Sequence, residues 1–126
     1  DPQNPVLEAH RRKGGRAVTV HNNTIVLCEG EREINVQALA HVPLTHGGRV
    51  GFQVENTLAA VAACWSAGLN LSVIRMGLST FGADMQCSPG RFNLFEYNGA
   101  TVIVDYGHNV SSLRSMLETI EQFAPS

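Results

Sequence analysis

The sequence predicts an α/β fold, and three patterns carry that prediction. Short β-branched runs separated by turn residues fill residues 17–36. A long apolar stripe with helical period follows from about Gln53 to Ala67. A strand–turn–strand–helix pattern then occupies the last third of the chain, beyond a stretch rich in Gly, Ser and Pro. With 126 residues, 44% of them hydrophobic and 16% charged, the chain is large enough to bury a modest core.

Taken in order, Asn4 is placed to cap a short helix through Val6, Leu7 and His10, which Gly14–Gly15 ends. Ala17–Val20 reads as a strand, His21–Asn22–Asn23 as a turn, and Thr24–Cys28 as the returning strand. Glu29–Arg32 makes a second turn before a short strand near Ile34–Val36. Residues 41–49 lack periodicity and read as a loop. In the main helix Val54, Leu58, Val61, Ala62, Trp65 and then Leu69 fall on one face, and Gly68 is placed as its C-terminal cap. A second helix is expected from about Ser72, its N-cap, to Thr80, with Ile74, Leu78 and Phe81 in step. Gly82–Gly90 reads as a linker and as the domain boundary, dividing the chain into residues 1–90 and 91–126. Phe92–Tyr97 is a strand, Asn98–Gly99 a hairpin turn, and Thr101–Val104 a strand apolar enough to be buried. The closing helix is expected to bury Leu113, Met116, Leu117, Ile120 and Phe123. The chain opens in a turn and stops just after this helix, so it reads as an internal piece of a larger protein.

Several function classes find no support. A net charge of −2 gives no footprint for nucleic acid, and the run Arg11–Arg12–Lys13 suits the solvated C-terminal end of a helix, where cations complement its dipole. No apolar stretch has the length of a membrane span, and no secretory signal opens the chain. Cys28, Cys64 and Cys87 are odd in number and widely spaced, which argues against a disulfide framework or a zinc site and for the cytoplasm. His41 and His46 lack a third ligand at metal-binding spacing and read as loop residues, so no metal site is expected from this chain.

Three units can carry chemistry. The first is a strand ending in Asp105-Tyr106-Gly107-His108-Asn109 and running into a helix. Ligands collect at the carboxyl ends of strands in open α/β sheets, and helix N-termini there offer unpaired N–H groups. A carboxylate at such a strand end suits sugar hydroxyls. The same residues also fit a plainer reading, with Asp105 and Asn109 as caps and His108 on the surface. The second unit is Pro89-Gly90-Arg91-Phe92, where the planar, permanently charged fork of Arg91 suits a phosphate or, more simply, a nearby carboxylate. The third is Val54-Glu55-Asn56-Thr57-Leu58-Ala59-Ala60. The amide of Asn56 offers the donor and acceptor that an adenine edge requires, or bonds locally to backbone.

The ordered set resembles the Mur ligases. Phe52 to Ala63 is similar to the N-x-x-A-A helix of that family, Gly90-Arg91-Phe92 to its linker, and Asp105 to Asn109 to its D-Y-x-H-N-P stretch. The segments Val42–Arg49 and Pro89–Glu96 point, within the family, to members that join arginine to a poly-aspartate backbone. The resemblance implies the end of a central P-loop-type domain followed by the first strand–helix unit of a Rossmann-like C-terminal domain. It also implies an ATP-dependent ligase that activates a carboxylate as an acyl phosphate for attack by an amine. Carried over by position, Asn56 faces adenine, Arg91 the phosphates and Asp105 the ribose, while His108 and Asn109 line the same nucleotide edge; none of these is expected to be catalytic. Asp1–Pro2 matches the end of an N-x-D-D-P stretch.

There are departures from the pattern. Val110 stands where the family has Pro, a first-turn helix position at which Pro helps without being required. No G-x-x-x-x-G-K-S/T occurs in the chain, so the phosphate cradle, the Mg2+ ligands and the family's modified lysine are expected upstream of Asp1. The implied ligands are ATP with Mg2+, arginine and poly-aspartate, in a parent expected to be a cytoplasmic homo-oligomer. The isolated chain is expected to be inactive and to bind ATP weakly. A peptidoglycan- or folylpolyglutamate-type ligase and a non-catalytic structural piece are the alternatives.

Overall fold

A computed structural model describes residues 4–123. The Asp1–Pro2 match therefore lies outside the described residues. Helices and strands are both present, as the α/β reading requires, but the strands come in consecutive runs and form two sheets, both antiparallel.

The first helix, α1 (Pro5–Arg12), starts where the Asn4 side chain accepts a hydrogen bond from Val6 N at 2.9 Å. It stops at Gly14, whose φ of +78° is the left-handed conformation that favours glycine. The basic run at its end is not wholly solvated. Arg11 reaches across to pair with Glu33 at 2.8 Å and donates from Nε to Gly30 O at 3.0 Å. Strands β1 (Arg16–His21), β2 (Thr24–Glu29) and β3 (Arg32–Ala38) form a meander in that order. Asn22 and Asn23, with φ of 48° and 55°, make the tight β1–β2 turn in the left-handed region that asparagine tolerates best among side-chain-bearing residues. The central strand, β2, is buried from Ile25 to Cys28, and burial raises the Cys28 thiol pKa, with Arg11 opposing and Glu33 adding to the shift.

Residues 41–49 are more regular than a loop. Two 3-10 turns, Leu39–His41 and Pro43–Thr45, lead to α2 (Gly51–Ser66), organised by the buried Thr45 hydroxyl, which donates to Val42 O at 2.8 Å. The C-terminus of α2 closes as expected at Gly68, with Gly68 N donating to Trp65 O and Leu69 N to Cys64 O. The next helix, α3 (Leu71–Thr80), is capped by Asn70 rather than Ser72: the Asn70 side chain accepts from Ser72 N at 2.9 Å. Both residues are good caps, and the one earlier in the chain takes the position.

The core is a two-layer sandwich. Ile25, Leu27 and Val36 of the sheet meet Val61 of α2 and Ile74 of α3, with Leu39 and Val42 closing one end. Val54, Leu58 and Trp65 pack around this cluster as the apolar stripe predicts, Cys64 joins them, and Leu69 at the end of the stripe stays exposed; Arg16 stacks its guanidinium 3.7 Å from the Trp65 ring. The stripe does not predict Gln53 and Thr57, which are also buried on α2.

Beyond the irregular Gly82–Gly90 stretch, β4 (Asn93–Tyr97) and β5 (Ala100–Val104) form a hairpin about Asn98–Gly99. The last helix, α4 (Val110–Ile120), leans on α2. Two expectations fail here. The strand β5 is largely exposed, and Leu113 and Leu117 of α4 are 45% and 64% exposed, with Ile120 at 37%. The physical reason is that β4 and β5 pair only with each other, so no sandwich forms around them among the described residues. Their apolar composition reads as burial only if a second layer covers them.

Candidate functional site

The N-terminal half of α2, the linker and the β5–α4 connection wall one cavity of about 860 Å³. All five residues singled out from sequence line it: Asn56, Arg91, Asp105, His108 and Asn109. Phe52, Phe81 and Tyr106 add aromatic surface, and Gln53, Glu55 and Ser112 add polar groups. The volume lies within the range of small-molecule pockets, about 300–1,000 Å³, and the mixture of apolar wall with a few polar groups is usual for them.

Each residue arrives by a different local device. Asn56 sits on α2, where its Nδ2 donates to Gln53 Oε1 at 3.1 Å, leaving its amide oxygen uncommitted among the described residues. Arg91 is exposed in the linker and makes no ion pair among the described residues. Asp105 ends β5, and both its oxygens accept from backbone: Oδ2 from Phe92 N at 2.9 Å and Oδ1 from Gly107 N at 2.7 Å. It therefore fastens the linker to the strand end and is not a helix cap. Asn109 is the α4 cap, its side chain accepting from Ser112 N at 2.8 Å while Ser112 Oγ accepts from Asn109 N at 3.2 Å. His108 is exposed, its Nδ1 lying 3.2 Å from Tyr106 O. The plainer reading of the sequence thus holds for Asn109 and His108 in this respect and fails for Asp105.

Three features escape sequence reasoning. Phe92 is fully buried with φ of +55°, a left-handed conformation for a bulky side chain. It is the hub of an aromatic cluster: Phe52, His46 and Phe123 lie 5.8, 5.9 and 5.6 Å from its ring. His46, read from sequence as a loop residue, keeps Nε2 buried without a hydrogen-bond partner among the described residues. Burial pushes its pKa down; the Phe92 backbone pulls the other way and the Arg49 charge adds to the fall. Asn93, buried at the start of β4, organises the linker from inside. Only the dipeptide Arg91–Phe92 within a turn-rich stretch hinted at this cluster.

No protein-family model matches the chain. Individual relatives do. Cyanophycin synthetase of Synechocystis sp. is 33% identical over 123 residues, which is 98% of this chain. This chain is Mur-ligase-like. A cyanophycin synthetase of Crocosphaera subtropica is 32% identical over the same length. A UDP-N-acetylmuramoyl-L-alanyl-D-glutamate–2,6-diaminopimelate ligase of Geobacillus kaustophilus is 43% identical over 74 residues, or 58% of the chain. The Mur-ligase-like chain spans 14% of the length of each of these relatives. The Geobacillus relative is by its name a ligase, and the cyanobacterial relatives are by theirs synthetases. Among the described residues no helix is long and apolar enough to cross a membrane.

Proposed function

We propose that the chain forms the adenosine-facing part of the ATP site of an amide-forming ligase. The observation that carries this reading is the convergence of Asn56, Arg91, Asp105, His108 and Asn109, up to 53 positions apart in sequence (109 − 56), on one cavity. Residues 1–90 are the rear of a central domain, residues 91–126 begin the C-terminal domain, and the cavity lies where the two meet.

In this reading Asn56 presents its free amide oxygen to the adenine amino group, and Arg91 offers its fork to phosphate oxygens. Asp105 uses its remaining lone pairs on ribose hydroxyls while its backbone contacts keep it in place. His108 and Asn109 border the same edge. The residues present suit a nucleoside, and the single cation, Arg91, suits one part of a phosphate chain. Mg2+ and the rest of the phosphates need groups from elsewhere in the parent. When bound, ATP supplies the phosphoryl group that activates a carboxylate. This chain's own residues bind and orient the nucleotide, and the isolated chain has no turnover. The parent is cytoplasmic and homo-oligomeric, and its substrates are arginine and poly-aspartate, supported by the likeness to cyanophycin synthetases over nearly the whole chain. A peptidoglycan-type substrate is the second reading, favoured by the higher identity of the diaminopimelate ligase segment over 74 residues.

The test has two arms. In the intact protein, Arg91→Ala and Asp105→Ala are expected to depress ATP-dependent amide formation sharply, and wild-type rates in both would overturn the roles given to them. In the isolated chain, millimolar ATP–Mg2+ is expected to produce slight amide shifts confined to the cavity. Tight binding, or shifts scattered over the β1–β3 sheet, would contradict the reading.

A further inference from the structure

We propose that Asn93 is a positioning residue for Arg91, holding the backbone that aims this cation at the cavity. Asn93 is 1% exposed and lies outside the cavity lining, yet its side chain serves three partners. Nδ2 donates to Ala83 O at 2.7 Å and to Ser88 O at 3.0 Å, and Oδ1 accepts from Gly90 N at 2.7 Å. These bonds close the linker from Ala83 to Gly90 into a compact loop that ends one residue before Arg91.

The other side of Arg91 is fastened as well. Gly90 O accepts from Tyr106 N at 2.8 Å, Phe92 N donates to Asp105 Oδ2 at 2.9 Å, and Arg91 N itself donates to Ser88 O at 3.2 Å. Gly90 and Phe92, with φ of +68° and +55°, bracket Arg91; glycine takes this left-handed conformation freely, whereas for Phe92 it persists only when its surroundings fix it. The Arg91 side chain has no ion pair of its own among the described residues. The point from which it reaches is therefore set by the backbone, and Asn93, two residues further along the chain, holds that backbone.

The chemistry selects asparagine. Two carbonyls and one N–H surround the side chain, so it must donate twice and accept once. Aspartate has the same shape but would place a carboxylate against two carbonyl oxygens. The single hydroxyl of serine donates only once, so at least one of the two carbonyls loses its donor.

The test uses the 126-residue chain with Asn93→Asp, Asn93→Ser and Arg91→Ala, and it has two readouts. The first is the order of the Arg91 amide from 15N relaxation. Wild type is expected near the rigid value of about 0.85, and the Asn93 variants below about 0.6. The second rests on the nucleotide reading above: the affinity for ATP relative to that for adenosine. Arg91→Ala sets the floor for this ratio. The Asn93 variants are expected to lower it by about tenfold, the scale of one charged hydrogen bond, with adenosine affinity held within about twofold. Unchanged amide shifts in the β1–β3 core identify variants that remain folded, and Asn93→Ser is the milder variant should Asn93→Asp fail that check.

An ordered Arg91 in the folded variants overturns the proposal, as does an unchanged ratio in variants for which Arg91→Ala lowers it. If Arg91→Ala leaves the ratio untouched in a chain that shows no adenosine shifts, the nucleotide reading fails instead. The relaxation data then still decide whether Asn93 holds Arg91.

Discussion

Removing the Asp105 carboxylate should loosen the join between the linker and the strand–helix unit before it affects any ligand. Two backbone donors, Phe92 N at 2.9 Å and Gly107 N at 2.7 Å, lose their acceptor in Asp105→Ala. A hydrogen bond to a charged group contributes about 1.5–3 kcal/mol when fully buried. Both bonds here are part-buried, which reduces each to about 1 kcal/mol, so the alanine variant should lose about 2 kcal/mol. Asp105→Asn keeps one good acceptor and should lose about half of that. For a chain of this size 1 kcal/mol corresponds to roughly 3–5 °C in Tm, which places the alanine variant about 6–10 °C below wild type. Thermal unfolding gives the total, and amide hydrogen exchange at Phe92 and Gly107 gives the location. If Asp105→Ala melts within a degree of wild type and the Phe92 amide exchanges no faster, the carboxylate is not a fastener. The comparison also matters for the nucleotide reading. Activity lost in Asp105→Ala but kept in Asp105→Asn would reflect the fastener rather than a ribose contact.

Two further outcomes follow from the aromatic cluster. Phe92→Ala empties a fully buried site flanked by three rings and should cost about 3–5 kcal/mol, read from the urea midpoint at unchanged slope. The His46 pKa lies below its ordinary 6.5 in the folded chain because burial disfavours the imidazolium. The unfolded chain therefore takes up the proton first, and the stability contributed by neutral His46 is present above pH 6.5 and lost as pH falls below it toward the depressed value. His46→Phe should flatten that part of the stability-versus-pH curve, and an unchanged slope would show that His46 titrates freely.

Much of the fold was legible because its punctuation is local. Asn22–Asn23, Gly68 and Asn98–Gly99 each meet a backbone demand that few residues meet, and each turn falls where those residues stand. What was not legible depends on neighbours. Thr101–Val104 and Leu113–Ile120 are apolar, but apolarity states what a segment tolerates, and the layer that would cover it is a separate fact. Gln53 and Thr57 are buried against the rule of polarity because Thr57 Oγ1 donates to Gln53 O at 2.7 Å and Gln53 Oε1 accepts from Asn56. The cavity residues were each named for their own chemistry, but only the ordered likeness to a family joined them into one site. Helical period placed Asn56 on α2, but no periodicity connects it to Asp105. His46, Phe92 and Asn93 were missed because a turn-rich sequence conceals how tightly its backbone can be held.

Phe92 has a consequence for how this segment can vary. Its torsion angle favours glycine or asparagine, while the space it fills calls for a large ring. No encoded residue satisfies both demands. Glycine relaxes the chain and leaves a void, whereas leucine or methionine occupies much of the space and keeps the torsional strain. Position 92 is thus a compromise from which every single step loses something. Asp105 and Asn109 share a milder form of this constraint, since each faces the cavity and also holds backbone, whereas a lining residue such as Glu55 has only the cavity to answer to and can vary around a linker that cannot.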